Sequence, residues 1–395
     1  MSGAGPCRIF LVALGADGDG AAARLQTALE KATIDATYRS DSAGARESAA
    51  ALGGARDVPV LVDPRLRDLD ATRGESVAGA LERAWPAFCE LARAHQEGTV
   101  LVVSHPAIVQ ALLCSVTEAG EPNYQRFAVR PLGLTMVEVG TDGRGVLRAL
   151  NANLDPNAIA RKAPATRVLM IRHGHAMSVE KGAPAYSHNP IPLSRLGEEQ
   201  AMRVAAALST VQVDGIFSSD IVRARQTAEF CGRALGLEVV TDRSLRELAL
   251  GEFEGMTLER VHASHPAFIP WLEVVFRNRF PSADFHHPAD LRFPNGQSVL
   301  DVHDSSLAGV LRILETERGR TILLVSHGWV LQPLICHIVG ADPQAYYRFT
   351  LPTATVAMAE VEADGRGVLE IFNGGVALED LPKLTGADGR LADVR

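Results

Sequence analysis

Aromatic residues make up only 5% of the 395-residue chain, so aliphatic side chains and alanine must build most of its core. Cysteine is scarce too: Cys7, Cys89, Cys114, Cys231 and Cys336 are scattered without CxxC spacing. So sparse and odd a set argues against a disulfide framework and against a cysteine zinc site. No stretch approaches ~18 consecutive apolar residues, which leaves no membrane-spanning helix. No basic segment leads a long apolar core near Met1, so no signal peptide is expected, and the expected compartment is the cytoplasm. Basic residues number 39 against 47 acidic ones, a net charge of −8. That balance gives no surface for coating nucleic acid, and an anionic substrate has to be held by a local basic site. What is present, 47% hydrophobic and 22% charged residues, is the composition of a folded protein of two or three domains.

The chain repeats itself. RIFLVALG (8–15) resembles RVLMIRHG (167–174), RSDSAGARESAAALG (39–53) resembles SSDIVRARQTAEFCG (218–232), and LVVSHPAIVQALLC (101–114) resembles LLVSHGWVLQPLIC (323–336). The offsets are 159, 179 and 222, and the last persists through DGRGVLRALN against DGRGVLEIFN. Blocks in one order with gaps only between them divide the chain into two copies of one domain, 1–155 and 160–395. The segment NLDPNAIARKAPAT, with two prolines and little periodicity, reads as the linker. The second copy gains 20 residues between Gly174 and Ser218 and 43 between Glu247 and Gly296. The latter insertion, about 248–295, is expected to form a cap.

RVLMI (167–171) reads as a buried strand and GEEQAMRVAAALS (197–209) as an amphipathic helix. VDGIFSSD and EVVTD continue as strands around the helix VRARQTAEFCGRAL. SVLDVHDSSLAGVLRILETE (298–317), TILLVSH and GWVLQPLICHIVG then predict helix, strand, helix, and a hairpin turns at Asp364-Gly365. Alternation of this kind predicts an α/β fold, a mainly parallel sheet with helices on both faces, whose ligands sit at the carboxyl ends of the strands.

Arg172-His173-Gly174 follows the first strand of the second copy. A histidine there projects from a sheet end beside an arginine, with a glycine that admits close backbone approach. Together with PLSRLGEEQA (192–201), SSDIVRARQTA (218–228), RELALGEFEG (246–255), PNGQS (294–298) and VSHGW (325–329), it resembles the histidine phosphatase (phosphoglycerate mutase-like) superfamily over essentially all of 167–375. The resemblance implies two tandem phosphoglycerate mutase-like three-layer α/β/α sandwich domains, the amino-terminal one degenerate. It implies that His173 is the nucleophile taking a phosphoryl group on a ring nitrogen, and that Arg172, Arg223 and His327 bind its oxygens. Glu247 is then the acid that protonates the leaving group and afterwards activates water. Gly328, His175 and Ser178 complete the implied phosphate- and substrate-binding set. The chemistry suits these residue types: guanidinium forks neutralise phosphoryl oxygens, and a neutral imidazole is nucleophilic near pH 7 without a metal. Glu247 must start protonated, and nearby phosphate charge is one way to raise its pKa.

Plainer readings stay open beside these. Glu247 is alternatively a surface carboxylate, Arg223 a solvated helix arginine, and His327 the cap of the helix at Gly328; Arg225 is expected to pair on the surface. The pattern also departs from the family. His175 and Ala176 stand where Glu or Gln and then Thr or Ser are usual, and Val179 stands where many members have asparagine; a phosphate or substrate contact is then either missing or replaced by His175 or Ser178, and His175 is equally read as a plain loop residue. In the insertion, His262, His265, His286 and His287 could be read as a metal cluster, but acidic ligands at suitable spacing are not evident and no metal is expected. Phe268, Trp271, Phe276, Phe280, Phe285 and Phe293 either touch substrate or pack the cap. GADGDG (15–20) is read as a turn.

The offsets convert Arg172 to Ala13, His173 to Leu14, Arg223 to Gly44, Glu247 to Asp68 and His327 to His105, so the first copy is expected to be inactive. The expected function is a metal-independent phosphatase, without cofactor, acting on a small phosphorylated metabolite through phosphohistidine. A mutase of the same superfamily, or a non-catalytic regulatory protein that binds a phospho-ligand, are the alternatives. No nucleic-acid or membrane partner is expected. The chain is expected either to form a homodimer or to satisfy the same contact internally, as a pseudo-dimer of its two copies.

Overall fold

Buried apolar runs make the centre of two sheets. The computed structural model describes residues 5–15, 21–30, 32–53, 58–160, 164–177, 190–268 and 289–374. The first half forms strands β1 (Cys7–Ala13), β2 (Ala36–Arg39), β3 (Val60–Val62), β4 (Thr99–Ser104), β5 (Leu134–Val139) and β6 (Gly145–Ala149), in the order β3-β2-β4-β1-β5-β6. The second forms β7 (Thr166–Arg172), β8 (Gly215–Ser218), β9 (Val239–Thr241), β10 (Thr321–Ser326), β11 (Val356–Val361) and β12 (Gly367–Gly374), in the order β9-β8-β10-β7-β11-β12. The two orders are the same strand for strand. In each sheet the first four strands run parallel, the fifth (β5 or β11) runs against them, and the last (β6 or β12) pairs antiparallel with the fifth. The closing hairpins turn at Gly143 (φ +84°) and Gly365 (φ +83°), a left-handed conformation that favours glycine.

Helices α1 (Ala21–Glu30), α2 (Ala43–Gly53), α3 (Val77–Ala94) and α4 (Pro106–Thr117) belong to the first half. In the second lie α5 (Arg195–Leu208), α6 (Val222–Leu235), α7 (Leu258–Ser264), α8 (Val299–Thr316) and α9 (Gly328–Val339). Side chains of α1 and α2 close one face of the first sheet, those of α5 and α6 one face of the second, and the opposite faces share a single core with α3, α4, α8 and α9. This is the expected α/β architecture with helices on both faces. The α8 boundary is set by a capping box: Ser298 Oγ accepts from the Asp301 N–H while Asp301 Oδ2 accepts from the Ser298 N–H.

The halves meet edge to edge at β6 and β12. Leu150 and Phe372 exchange backbone hydrogen bonds of 3.0 and 2.9 Å. Asn151 and Asn373, both left-handed (φ +50° and +56°), reach across in mirrored fashion. Asn151 Nδ2 donates to the Glu370 carbonyl at 2.7 Å, and Asn373 Nδ2 to the Arg148 carbonyl at 2.7 Å. Arg126 donates to the Gly367 carbonyl and Arg348 to the Gly145 carbonyl, a second mirrored pair at the offset of 222. The junction is less loose than its prolines suggest. Pro156–Ala158 form a 3-10 turn, Ile159 is buried in the second core, and its carbonyl accepts from Arg167 at 2.8 Å.

Candidate active site

The site is built where β7 and β10 end side by side, Arg172 being paired with Ser326 in the register. The next residue on each strand is then a histidine, and the rings of His173 and His327 lie 5.0 Å apart at 61°. Gly174 has a steric task. A Cβ there would stand 2.6 Å from the Gly197 carbonyl oxygen, and one at Gly197 would stand 2.0 Å from that of His175. The loop after β7 thus lies backbone to backbone on the first turn of α5, which Ser194 caps. Gly197→Ala is expected to lower the unfolding free energy by about 1–3 kcal/mol through overpacking in a urea titration, and to push His173 out of register with His327.

His173 is buried, and its tautomer follows from its neighbours. Nδ1 lies 2.7 Å from the Gly174 carbonyl oxygen, which can only accept. Nε2 receives the Arg223 Nε–H at 3.1 Å. Nδ1 therefore carries the proton and Nε2 the lone pair. Burial, then the charges of Arg223 and Arg172, push the pKa of His173 well below the usual 6.5. The imidazole is neutral and nucleophilic across the physiological range.

Arg223 enters from the first turn of α6 and is buried, its pKa pushed down by burial to about 10, so it keeps its charge at neutral pH. Thr227, one turn on, accepts the Gly174 N–H at 3.1 Å and donates to the Arg223 carbonyl at 2.8 Å, tying helix to loop. Arg172 donates from Nη1 to the Leu351 carbonyl at 2.8 Å, while its buried Nε has no hydrogen-bond partner among the described residues. Gly328 opens α9 beside that guanidinium, where even a Cβ would meet Arg172 Cζ at an ordinary contact distance of 3.5 Å.

His327 stands at the cap position of α9, but its side chain makes no cap. It is fully buried, and its Nε2 meets Ser219 Oγ at 2.9 Å. Its Nδ1 lies 4.0 Å from Glu247 Oε2. Glu247 is buried rather than a surface carboxylate, and burial raises its pKa, against the opposing influence of Arg223, the Leu248 N–H, Arg172 and the Trp329 N–H. Desolvation by the protein thus raises it without any phosphate present. Arg225 stays on the surface of α6, 3.8 Å from Glu229.

The five expected catalytic groups therefore converge: two guanidinium groups, two imidazoles and one carboxyl around the ends of β7 and β10. His175 is close enough to lower the pKa of His173, while its Nδ1 meets Ser194 Oγ at 2.8 Å. Ser178 lies outside the described residues, as do His286, His287, Trp271, Phe276, Phe280 and Phe285. Phe268 and Phe293 are buried against Phe253, with ring centroids 4.9 and 5.2 Å from it, so these two pack the insertion from within. Among the described residues no group of His, Cys, Asp or Glu could hold a metal ion, and no helix is long and apolar enough to cross a membrane. Sequence reasoning missed Ser219, Thr227 and the Leu351 carbonyl. Ser219 carried a signal, since Ser40 repeats it at the offset of 179.

The first half keeps the frame without the reactive groups. Leu14 donates its N–H to the Ser104 carbonyl just as His173 does to that of Ser326. A Cβ on Gly44 would lie 3.9 Å from the Leu14 side chain. His105 retains its pairings, Nε2 to Ser40 Oγ at 3.1 Å and Nδ1 to Asp68 at 3.3 Å. The serine, histidine and acid thus persist where His173 and both arginines have no counterpart.

The family model described as "Histidine phosphatase superfamily (branch 1)" matches residues 12–73, 68–153 and 168–374. The chain is 29% identical over 197 residues to the "Probable phosphoglycerate mutase GpmB" of Escherichia fergusonii, covering 50% of this chain and 85% of the relative. The Citrobacter koseri protein of that name matches to the same extent. Among solved structures, a mycobacterial glucosyl-3-phosphoglycerate phosphatase, Rv2419c, complexed with VO3 is 26% identical. It aligns at a TM-score of 0.46 over 53% of this chain and 98% of that one.

Proposed function

This chain belongs to the histidine phosphatase superfamily, and from that premise we propose that residues 160–395 are a metal-independent phosphatase of a small phosphomonoester, with residues 1–155 a catalytically inactive copy. One observation carries the reading: a neutral imidazole presents its lone pair at Nε2 inside a buried ring of cationic side chains, beside a carboxyl whose pKa burial has raised.

A substrate phosphoryl group enters between Arg172, Arg223 and His327. Its oxygens compete for the Arg223 Nε–H that otherwise covers the nucleophile, so binding exposes the His173 lone pair only when there is something to attack. Nε2 then forms the N–P bond as the P–O bond to the leaving group breaks, and protonated Glu247 gives its proton to the departing oxygen. Water next attacks phosphorus, Glu247 takes back a proton, and the N–P bond breaks to release phosphate. The guanidinium groups neutralise charge on the equatorial oxygens in both steps.

A mutase is the second reading, supported by the curated relatives named as probable phosphoglycerate mutases. It differs in retaining the phosphoenzyme against water. A panel of phosphomonoesters, with the His173→Ala variant as blank, separates the two. The phosphatase reading expects stoichiometric release of inorganic phosphate with no bisphosphate primer. Isomerisation of a phosphoglycerate dependent on such a primer, without net release, overturns it. The relatives' names make phosphorylated three-carbon acids and their glycosyl derivatives the first compounds to try. The compartment expected is cytoplasmic.

A further inference from the structure

The guanidinium of Arg172 is positioned by a backbone carbonyl, and that carbonyl is carried by a segment fastened to the inactive half. Its Nη1 donates to Leu351 O at 2.8 Å, while Nε makes no hydrogen bond among the described residues. Gly328 lies beside it and offers no side-chain contact. The Leu351 carbonyl is therefore the contact that fixes how the fork is rolled about its stem. Leu351 belongs to neither helix nor strand, and lies between the 3-10 turn Pro343–Arg348 and β11.

The residues just before it are held largely by the first half. The Arg348 side chain is buried, donates to the Gly145 carbonyl at 3.0 Å, and makes a short ion pair with Glu118. The Thr350 N–H donates to the Leu147 carbonyl at 3.3 Å. The Thr350 carbonyl accepts from Asn373 Nδ2 at 2.6 Å, and the same amide also donates to Arg148 O. Within the second half, Gln332 holds the Phe349 carbonyl and Arg172 O accepts the Ala354 N–H. The mirrored fastening exists on the other side, where the Ala128 N–H donates to the Leu369 carbonyl, but the strand it serves ends in Ala13 and has no guanidinium to aim.

We infer that Arg348 is a positioning residue through which residues 1–155 set the phosphate affinity of the catalytic half: Glu118 and Gly145 hold Arg348, Arg348 anchors the segment that carries the Leu351 carbonyl three residues on, and that carbonyl aims Arg172. The inference rests on the proposed role of Arg172 as a phosphate ligand. It gives the inactive half a definite duty, tuning one arginine, beyond covering a sheet edge.

The test is binding of inorganic phosphate by calorimetry to the full chain, so that turnover is not needed. Arg348→Lys keeps the charge but loses the fork, and is expected to weaken binding about tenfold, with Glu118→Gln giving about threefold. The discriminating measurement repeats Arg348→Lys in an Arg172→Lys background. If Arg348 acts through Arg172, its effect shrinks to about twofold or less there, a coupling between the two sites. An equal loss in both backgrounds means that Arg348 acts only on the fold, and overturns the inference. So does unchanged affinity in folded Glu118→Gln, which stands alone if Arg348→Lys does not fold. A wild-type chain that binds phosphate yet hydrolyses no ester defeats the proposed function while this test stands; one that binds no phosphate defeats both.

Discussion

Changing His173 to alanine is expected to lower phosphate release by at least about four orders of magnitude, the scale on which loss of a covalent nucleophile is felt. The variant should keep its fold, because among the described residues the imidazole makes two hydrogen bonds, to the adjacent carbonyl and with Arg223, besides its ring contact with His327. It should also bind inorganic phosphate, since Arg172, Arg223 and His327 are untouched. Trapping with a slow substrate and quenching in alkali, where phosphohistidine survives, should label the wild type and leave the variant blank. Hydrolysis by the variant within tenfold of wild type would mean that water attacks directly and that the imidazole only binds.

The second large effect is expected at Glu247. Replacing it by glutamine removes the proton donor, and an alkyl phosphate, whose leaving oxygen needs that proton, should be hydrolysed about 10²–10⁴-fold more slowly. A p-nitrophenyl ester has a much better leaving group and should lose far less in its first step. The pH profile tests the same assignment, with a sign that can be worked out. His173 must be neutral, and its pKa is pushed well below 6.5, so the acid limb lies below 6.5. Glu247 must be protonated to act as acid, and its pKa is raised, so the limb on which activity falls with rising pH lies above 4.5. In Glu247→Gln that second limb should vanish. An unchanged profile at full height with an alkyl ester would remove Glu247 from the reaction.

Much of this was legible in the chain before any coordinates. Repeated blocks at fixed offsets are a covalent record of shared topology, and the sheet orders of the two halves follow it strand for strand. The proposed catalytic side chains are legible because phosphoryl transfer restricts residue type: imidazole, guanidinium and carboxyl are the groups that suit it. What stayed hidden consists of backbone atoms and short hydroxyls. The Leu351 carbonyl has no sequence signature, since any residue would supply it. Thr227 carries no mark on its helix, and only the fold brings its hydroxyl to accept the Gly174 N–H. His175 is open in the sequence between a replacement contact and a plain loop residue, and only the fold shows that its Nδ1 meets Ser194 Oγ, the cap of α5. The cross-half pairs Arg126–Gly367 and Arg348–Gly145 repeat at the offset of 222, so a signal existed, but two arginines in aligned positions do not reveal that each reaches into the other copy.

The mirrored asparagines at the meeting edge have a kinetic consequence. Two separate chains joined through such a seam part on dilution, whereas here the partner is tethered and its effective concentration stays set by the connecting segment, whatever the concentration of protein in the tube. Specific activity should accordingly be flat from micromolar down to picomolar protein.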